Sequence, residues 1–186
     1  MHVIFTRWDK WSVAIERGPL VYALKIKEDW KKARERFPGF PDWEVRAASA
    51  WNYALCFRLY RDGMISRRRA DDEQSEVNTG DSYFKVNYLQ KPEGSNPWEN
   101  PPIELIAKAK KVEGWKLSKP LPAVFPLRND GTELLTPDVP QSPVISNDPE
   151  ETITLIPYGC THIRVTYFPV TAAGNLRPND VPEVTK

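Results

Sequence analysis

Carboxylates, a cysteine–histidine pair and a large set of tryptophans are the side chains of this sequence that could do chemistry. Acid-catalysed cleavage of a sugar bond needs two carboxylates at a defined gap. Glu16, Glu44 and the group Asp148, Glu150 and Glu151 are the candidates, but their spacing sets no two of them face to face. Solvated or salt-bridged surface acids account for them. Cys160 and His162 are two positions apart. On a strand they would share a face, which brings a thiol within reach of a base. Free cysteines are more often buried and inert. The seven tryptophans, Trp8, Trp11, Trp30, Trp43, Trp51, Trp98 and Trp115, offer flat faces for sugar rings. The competing expectation is that they fill a core or a covered surface, because an indole buries a large area. Arg17 precedes Gly18-Pro19 and suits holding loop carbonyls better than catalysis. Asn129-Asp130-Gly131 reads as a turn, since no further calcium ligands follow it. No catalytic, cofactor-binding or metal-ligating residue is therefore assigned, and no cofactor is expected.

Composition narrows the classes. The 186 residues suffice for one domain with long insertions, and 40% hydrophobic residues can build a core. Twenty-six basic residues against 25 acidic ones leave a formal net charge of +1, which disfavours a nucleic-acid partner. Cys56 and Cys160 form no CxxC and, with His2 and His162 the only histidines, make no zinc signature. They are expected to stay unbridged. No apolar run approaches the roughly 18 residues that a spanning helix needs, so no membrane partner is expected. The N-terminus lacks the pattern of a signal peptide and reads as a strand entered without preamble, as in a chain cut from something longer.

The elements that must position these residues are mostly strands. Val3 and Phe5 alternate with Ile4 and Thr6; Val13 and Ile15 share a face; Leu20 to Ile26 is apolar on both faces, as a central strand would be. Glu28 to Phe37 is rich in Lys, Arg, Glu and Ala, with Trp30, Ala33 and Phe37 at helical spacing, and predicts a short surface helix ended by Pro38-Gly39. Asp42 to Ala47 reads as extended, and Ser49 to Phe57 as strand or short helix. Arg61 to Asp81 is polar, with Arg67–Arg69 cancelled by Asp71–Glu73, and predicts a solvated loop. Strand alternation returns at 83–89 and 103–112, and Pro120 to Pro126 suits an edge. Glu151 to Pro169 predicts a hairpin turning at Pro157-Tyr158-Gly159, with Gly159 at positive φ.

Three stretches resemble one family. Ser12 to Leu24, with its Arg17-Gly-Pro-Leu-Val-Tyr22, is similar to a strand pair of the β-L-arabinofuranosidase-like enzymes, glycoside hydrolase family 127 and its relatives. Trp43 to Leu55 resembles the segment that follows, and Glu151 to Pro169, with Leu155-Ile-Pro-Tyr-Gly159, resembles their closing hairpin. In that family a helical (α/α)6 barrel carries the catalytic glutamate and the zinc-binding cysteines, and β-sandwich domains follow it. The resemblance covers the sandwich region alone, so it implies no catalytic residue here.

Together these readings predict an all-β, antiparallel β-sandwich of jelly-roll type with one short helix and long polar loops, spanning residues 1–170, and a polar tail at 171–186. The resemblance implies a non-catalytic domain that braces the catalytic barrel of a periplasmic or secreted parent enzyme. The rival expectation is a carbohydrate-binding module for plant polysaccharide. An exposed, coplanar tryptophan pair would favour the module, and a broad apolar patch the brace. Because strands before Met1 would be missing, the His2–Thr6 edge is expected to pair with a second copy.

Overall fold

The computed structural model describes residues 2–57, 83–90, 94–118 and 136–172. The polar stretch Arg61 to Asp81, the segment Pro120 to Pro126, the Asn129-Asp130-Gly131 turn and the tail from 173 onward lie outside them. The fold is all-β and sandwich-like. Its strands are β1 (Val3–Arg7), β2 (Val13–Arg17), β3 (Leu20–Leu24), β4 (Glu28–Phe37), β5 (Phe40–Ala47), β6 (Tyr53–Phe57), β7 (Lys85–Tyr88), β8 (Ile103–Lys111), β9 (Glu151–Pro157), β10 (Tyr167–Phe168) and β11 (Val170–Ala172).

One sheet runs β1-β2-β3-β9-β8-β6-β11, and it curls until its two sides meet. The join is a single stretch of chain. Tyr167 and Phe168 pair with Ala14 and Val13 of β2, and Val170–Ala172 pair in parallel with Leu55–Phe57 of β6. Between them Pro169, which has no N–H to leave unpaired, accepts a hydrogen bond from Leu55 N at 2.9 Å. β11 thus carries the sheet past the expected boundary at 170, and Val144 covers its outer edge through a parallel bridge to Thr171.

Period two explains what lies inside the curl. Leu24, Leu155, Leu105 and Val86 stand in register across β3, β9, β8 and β7. Leu105 and Leu155 are wholly buried and Leu24 nearly so. Each such leucine contributes about 1.5–3 kcal/mol of burial. β3 lies between β2 and β9, as its apolar faces predict. The β2–β3 turn places Gly18 at φ 60°, the conformation a two-residue hairpin asks of its first central residue. A smaller cluster of Ala54, Val112 and Trp115 packs separately, with Trp51, Val139, Val144 and Val165 against it.

Two expectations fail here. Residues 28–37 are a strand and not a helix: β4 pairs with β5 as a separate two-stranded ribbon. Pro38-Gly39, expected to stop a helix, instead makes the reversal, with Gly39 at φ 82°. Oppositely charged residues stand in register across the strands at Asp29–Arg46, Lys31–Glu44 and Arg34–Asp42, an arrangement that suits a ribbon, and strand pairing overrides a modest helix propensity. An irregularity between Lys32 and Arg34 absorbs Ala33, which breaks the helical spacing of the apolar residues. The second failure is the closing hairpin. β9 exists, but it pairs with β3 and β8, not with the residues that follow it. Tyr158–Cys160 is a 3-10 turn, and the chain from there runs across to β2. Ile163 and Val165 still pack against the core, so their alternation marks a buried side without marking a paired strand.

Candidate functional site

The turn at 158–164 collects most of the chemistry the sequence offers. It follows β9, and Tyr22↔Pro157, Ala23↔Ile156 and Leu24↔Leu155 bring the strand after Gly18-Pro19 against it. The two most distant stretches that carry the family resemblance are therefore hydrogen-bonded neighbours.

On one side the turn grips the ribbon. Glu28, at the base of β4, has only 15% of its side chain exposed. Its Oε1 accepts from His162 N at 2.8 Å, Ile163 N at 3.1 Å and Thr161 Oγ1 at 3.1 Å; its Oε2 lies 3.0 Å from His162 Nδ1. Desolvation pushes this carboxyl up, but the donors from His162, Ile163 and Thr161 outweigh it and hold it below its ordinary range. Trp30 donates from Nε1 to Glu28 Oε2 at 3.1 Å and meets the His162 ring edge-to-face at 4.7 Å. Trp43 meets Trp30 at 6.2 Å and 70°. Both indoles are exposed, Trp43 by 54%, and at the tip Phe40 is 76% exposed beside Phe37.

On the other side the turn neighbours Tyr22 through Cys160, and Tyr22 in turn neighbours Arg17. Its guanidinium donates from Nη2 to Tyr88 Oη at 2.7 Å and lies 5.5 Å from the Tyr88 ring centroid. Arg17 is thus held by a ring, not by loop carbonyls. Arg17 is also a side-chain hydrogen-bond neighbour of the fully buried Tyr22 hydroxyl. Burial pushes the Tyr22 phenol up, with Arg17 opposing. Arg164 donates from Nε to Thr161 O at 3.1 Å, and its guanidinium stacks over Tyr158 at 4.4 Å. The Trp98 ring lies against Gly159, where a Cβ would stand 2.4 Å from Trp98 Cζ3. Gly159 does not have the positive φ expected of it; Gly18, Gly39 and Gly94 do. What the position requires is the missing side chain.

The other candidates do not converge. Cys160 donates to Pro97 O at 3.2 Å, and His162 turns to Glu28. The two do not share a strand face, because Cys160 ends the 3-10 turn. Burial pushes the Cys160 and Cys56 thiols up, away from the reactive thiolate, and both are free. Three of the candidate carboxylates answer separate neighbours: Glu16 accepts from Thr6, Glu44 from Arg46, and Glu151 from Lys111 and Tyr53; at Asp148 the main-chain N donates to Ser146 Oγ. Beside Glu151, desolvation and then that carboxylate push the Tyr53 phenol up to about 12. Among the described residues no group of three His, Cys, Asp or Glu could hold a metal ion. Of the tryptophans only Trp115 is buried, with Trp51 edge-on to it at 5.0 Å; Trp8 stacks on Tyr167 at the surface.

Sequence reasoning missed Glu28, Tyr22 and Arg164. For Glu28 no local signal existed: the charges at 28, 29, 31, 32, 34, 35 and 36 follow no period of two. No protein-family model matches the chain, and no curated protein or solved structure matches it either.

Proposed function

We propose that this chain is a non-catalytic β domain that docks on and braces a larger body, of the kind the resemblance implies: the helical barrel of a β-L-arabinofuranosidase-like glycoside hydrolase. The observation that carries the reading is the β4–β5 ribbon. Its two strands pair only with each other, and it exposes Trp30, Trp43, Phe37 and Phe40 beyond the curled sheet, a patch of the kind that marks a contact surface. The main-chain pairing of the two resembling stretches at Tyr22 and Pro157 agrees with it. A plant-polysaccharide module is the rival. The 70° between Trp30 and Trp43 disfavours it at the ribbon, because a sugar platform needs rings that lie flat together.

The test mixes the purified chain with a separately produced barrel of such an enzyme and follows both by sedimentation velocity. A complex should form, and the double substitution Trp30→Ala, Trp43→Ala should cost about 2 kcal/mol or more of binding, as central aromatic anchors do. The chain alone should turn over no chromogenic β-L-arabinofuranoside. Turnover lost on mutating one of its residues, or a complex indifferent to both tryptophans, would refute the proposal.

A further inference from the structure

We infer that the ribbon is an acid-released docking arm: the ionised Glu28 carboxylate holds the Trp30 indole and the base of β4 in the docking position, and its protonation lets both go. This control acts on the docking surface proposed above and rests on that reading. Four N–H groups and the Thr161 hydroxyl converge on the one carboxylate: His162 N, Ile163 N and Thr161 Oγ1 at Oε1, Trp30 Nε1 and His162 Nδ1 at Oε2. An ionised carboxylate accepts only, with about four lone-pair sites. His162 Nδ1 therefore carries its hydrogen here, and Glu28 has no lone pair to spare. A proton on either oxygen would point an O–H at donors. The Thr161 hydroxyl can turn away to Ile163 O at 3.0 Å, but His162 N and Ile163 N are fixed by the main chain. With only 15% of the Glu28 side chain exposed, water has little room to relieve the conflict.

Trp30 links this clasp to docking. Glu28 Oε2 holds its N–H, and the His162 ring meets it edge-to-face at 4.7 Å and 87°. The indole is still 43% exposed, so one end is fixed and the rest is left for a partner. Of the titratable groups nearby, His162 touches Glu28 directly. Asp29 and its cross-strand neighbour Arg46 face the other side of the ribbon, and Ala47 stands opposite Glu28. Lys27 precedes Glu28 in sequence. On the turn, Arg164 goes to Thr161 O and the Tyr158 ring. The Glu28 carboxyl is held below its ordinary range, so the clasp is complete above the unfolded carboxylate value and is lost as pH falls through the folded one.

Two readouts separate the switch from the docking. In the free chain, the Trp30 indole N–H resonance, assigned with Trp30→Phe, is followed from neutral pH down through the carboxylate range. It should shift and exchange faster with water while core methyl signals stay in place. Glu28→Gln, whose amide turns N–H groups toward the donors of Trp30 and His162, should show the released signal at every pH. His162→Asn keeps a donor but does not titrate, and should keep the wild-type profile. Binding to the separately produced barrel, followed by sedimentation velocity, should weaken about tenfold over the same fall in pH, as loss of a charge-assisted hydrogen bond does. For Glu28→Gln it should be weak and flat, and the ratio of the two affinities cancels any titration of the barrel. A Trp30 signal that ignores pH, that moves alike in Glu28→Gln, or that loses its profile in His162→Asn overturns the switch. A moving Trp30 signal with constant affinity overturns its control of docking. No complex at any pH refutes docking itself, and the free-chain signal still decides the switch.

Discussion

The curled sheet and the β4–β5 ribbon are both antiparallel, yet their side chains are arranged on opposite principles. In the sheet, leucines at 24, 105 and 155 stack in register under cover, and the chain between Tyr167 and Ala172 stitches the two sides together. In the ribbon, one face alternates cross-strand charges and the other carries exposed Trp30 and Trp43. A free two-stranded ribbon is marginal in water. This one is anchored at its base by the Glu28 carboxylate and its ring of donors. Stability therefore belongs to the sheet by burial, and the ribbon borrows its placement from one polar clasp.

Breaking the sheet should cost most. Leu155→Ala removes a wholly buried side chain between Leu24 and Leu105, and should lower the urea-derived stability of the whole domain by about 2–5 kcal/mol. A loss confined to one part of the molecule would mean that the sheet is not a single cooperative unit.

The clasp comes next. Glu28→Ala strips the acceptor from His162 N, Ile163 N and Thr161 Oγ1, and should cost about 1–3 kcal/mol, felt locally. Hydrogen exchange should rise in β4 and β5 while β8 and β9 keep their protection. The pH dependence follows from the same group. Its folded pKa is depressed, so its contribution is present above the unfolded carboxylate value and is lost as pH falls through the folded one. Acidification should free the ribbon before it unfolds the sheet. Release on raising the pH instead would contradict the clasp.

The smallest effect belongs to the turn that joins the two regions. Gly159→Ala puts a Cβ where the Trp98 ring now lies. Because that ring is at the surface and can swing away, stability should change by roughly 0.5 kcal/mol. Trp98 emission should shift to the red. An unchanged spectrum would show that Trp98 does not rest on Gly159.

Sequence by itself determined the β class and most strand positions, because alternation of buried and exposed residues is written locally. β1, β2, β3, β7 and β8 fall where that alternation puts them. It also located the break after β2 at Gly18-Pro19, where glycine takes a positive φ; Pro38-Gly39 it marked only as the end of a helix, and the structure makes it a reversal. Tertiary structure decided the rest. Residues 28–37 carry a helix former's composition, and it is their pairing with β5 that makes them a strand. Glu151 to Pro169 looked like one hairpin, but β3 and β8 took both edges of β9 and sent the following residues across to β2. The candidate sites share that origin. Glu28 reaches His162, Arg17 reaches Tyr88, and Trp98 reaches Gly159 across separations that no local pattern encodes; these contacts exist because the sheet curls, and curling is a property of all the strands together.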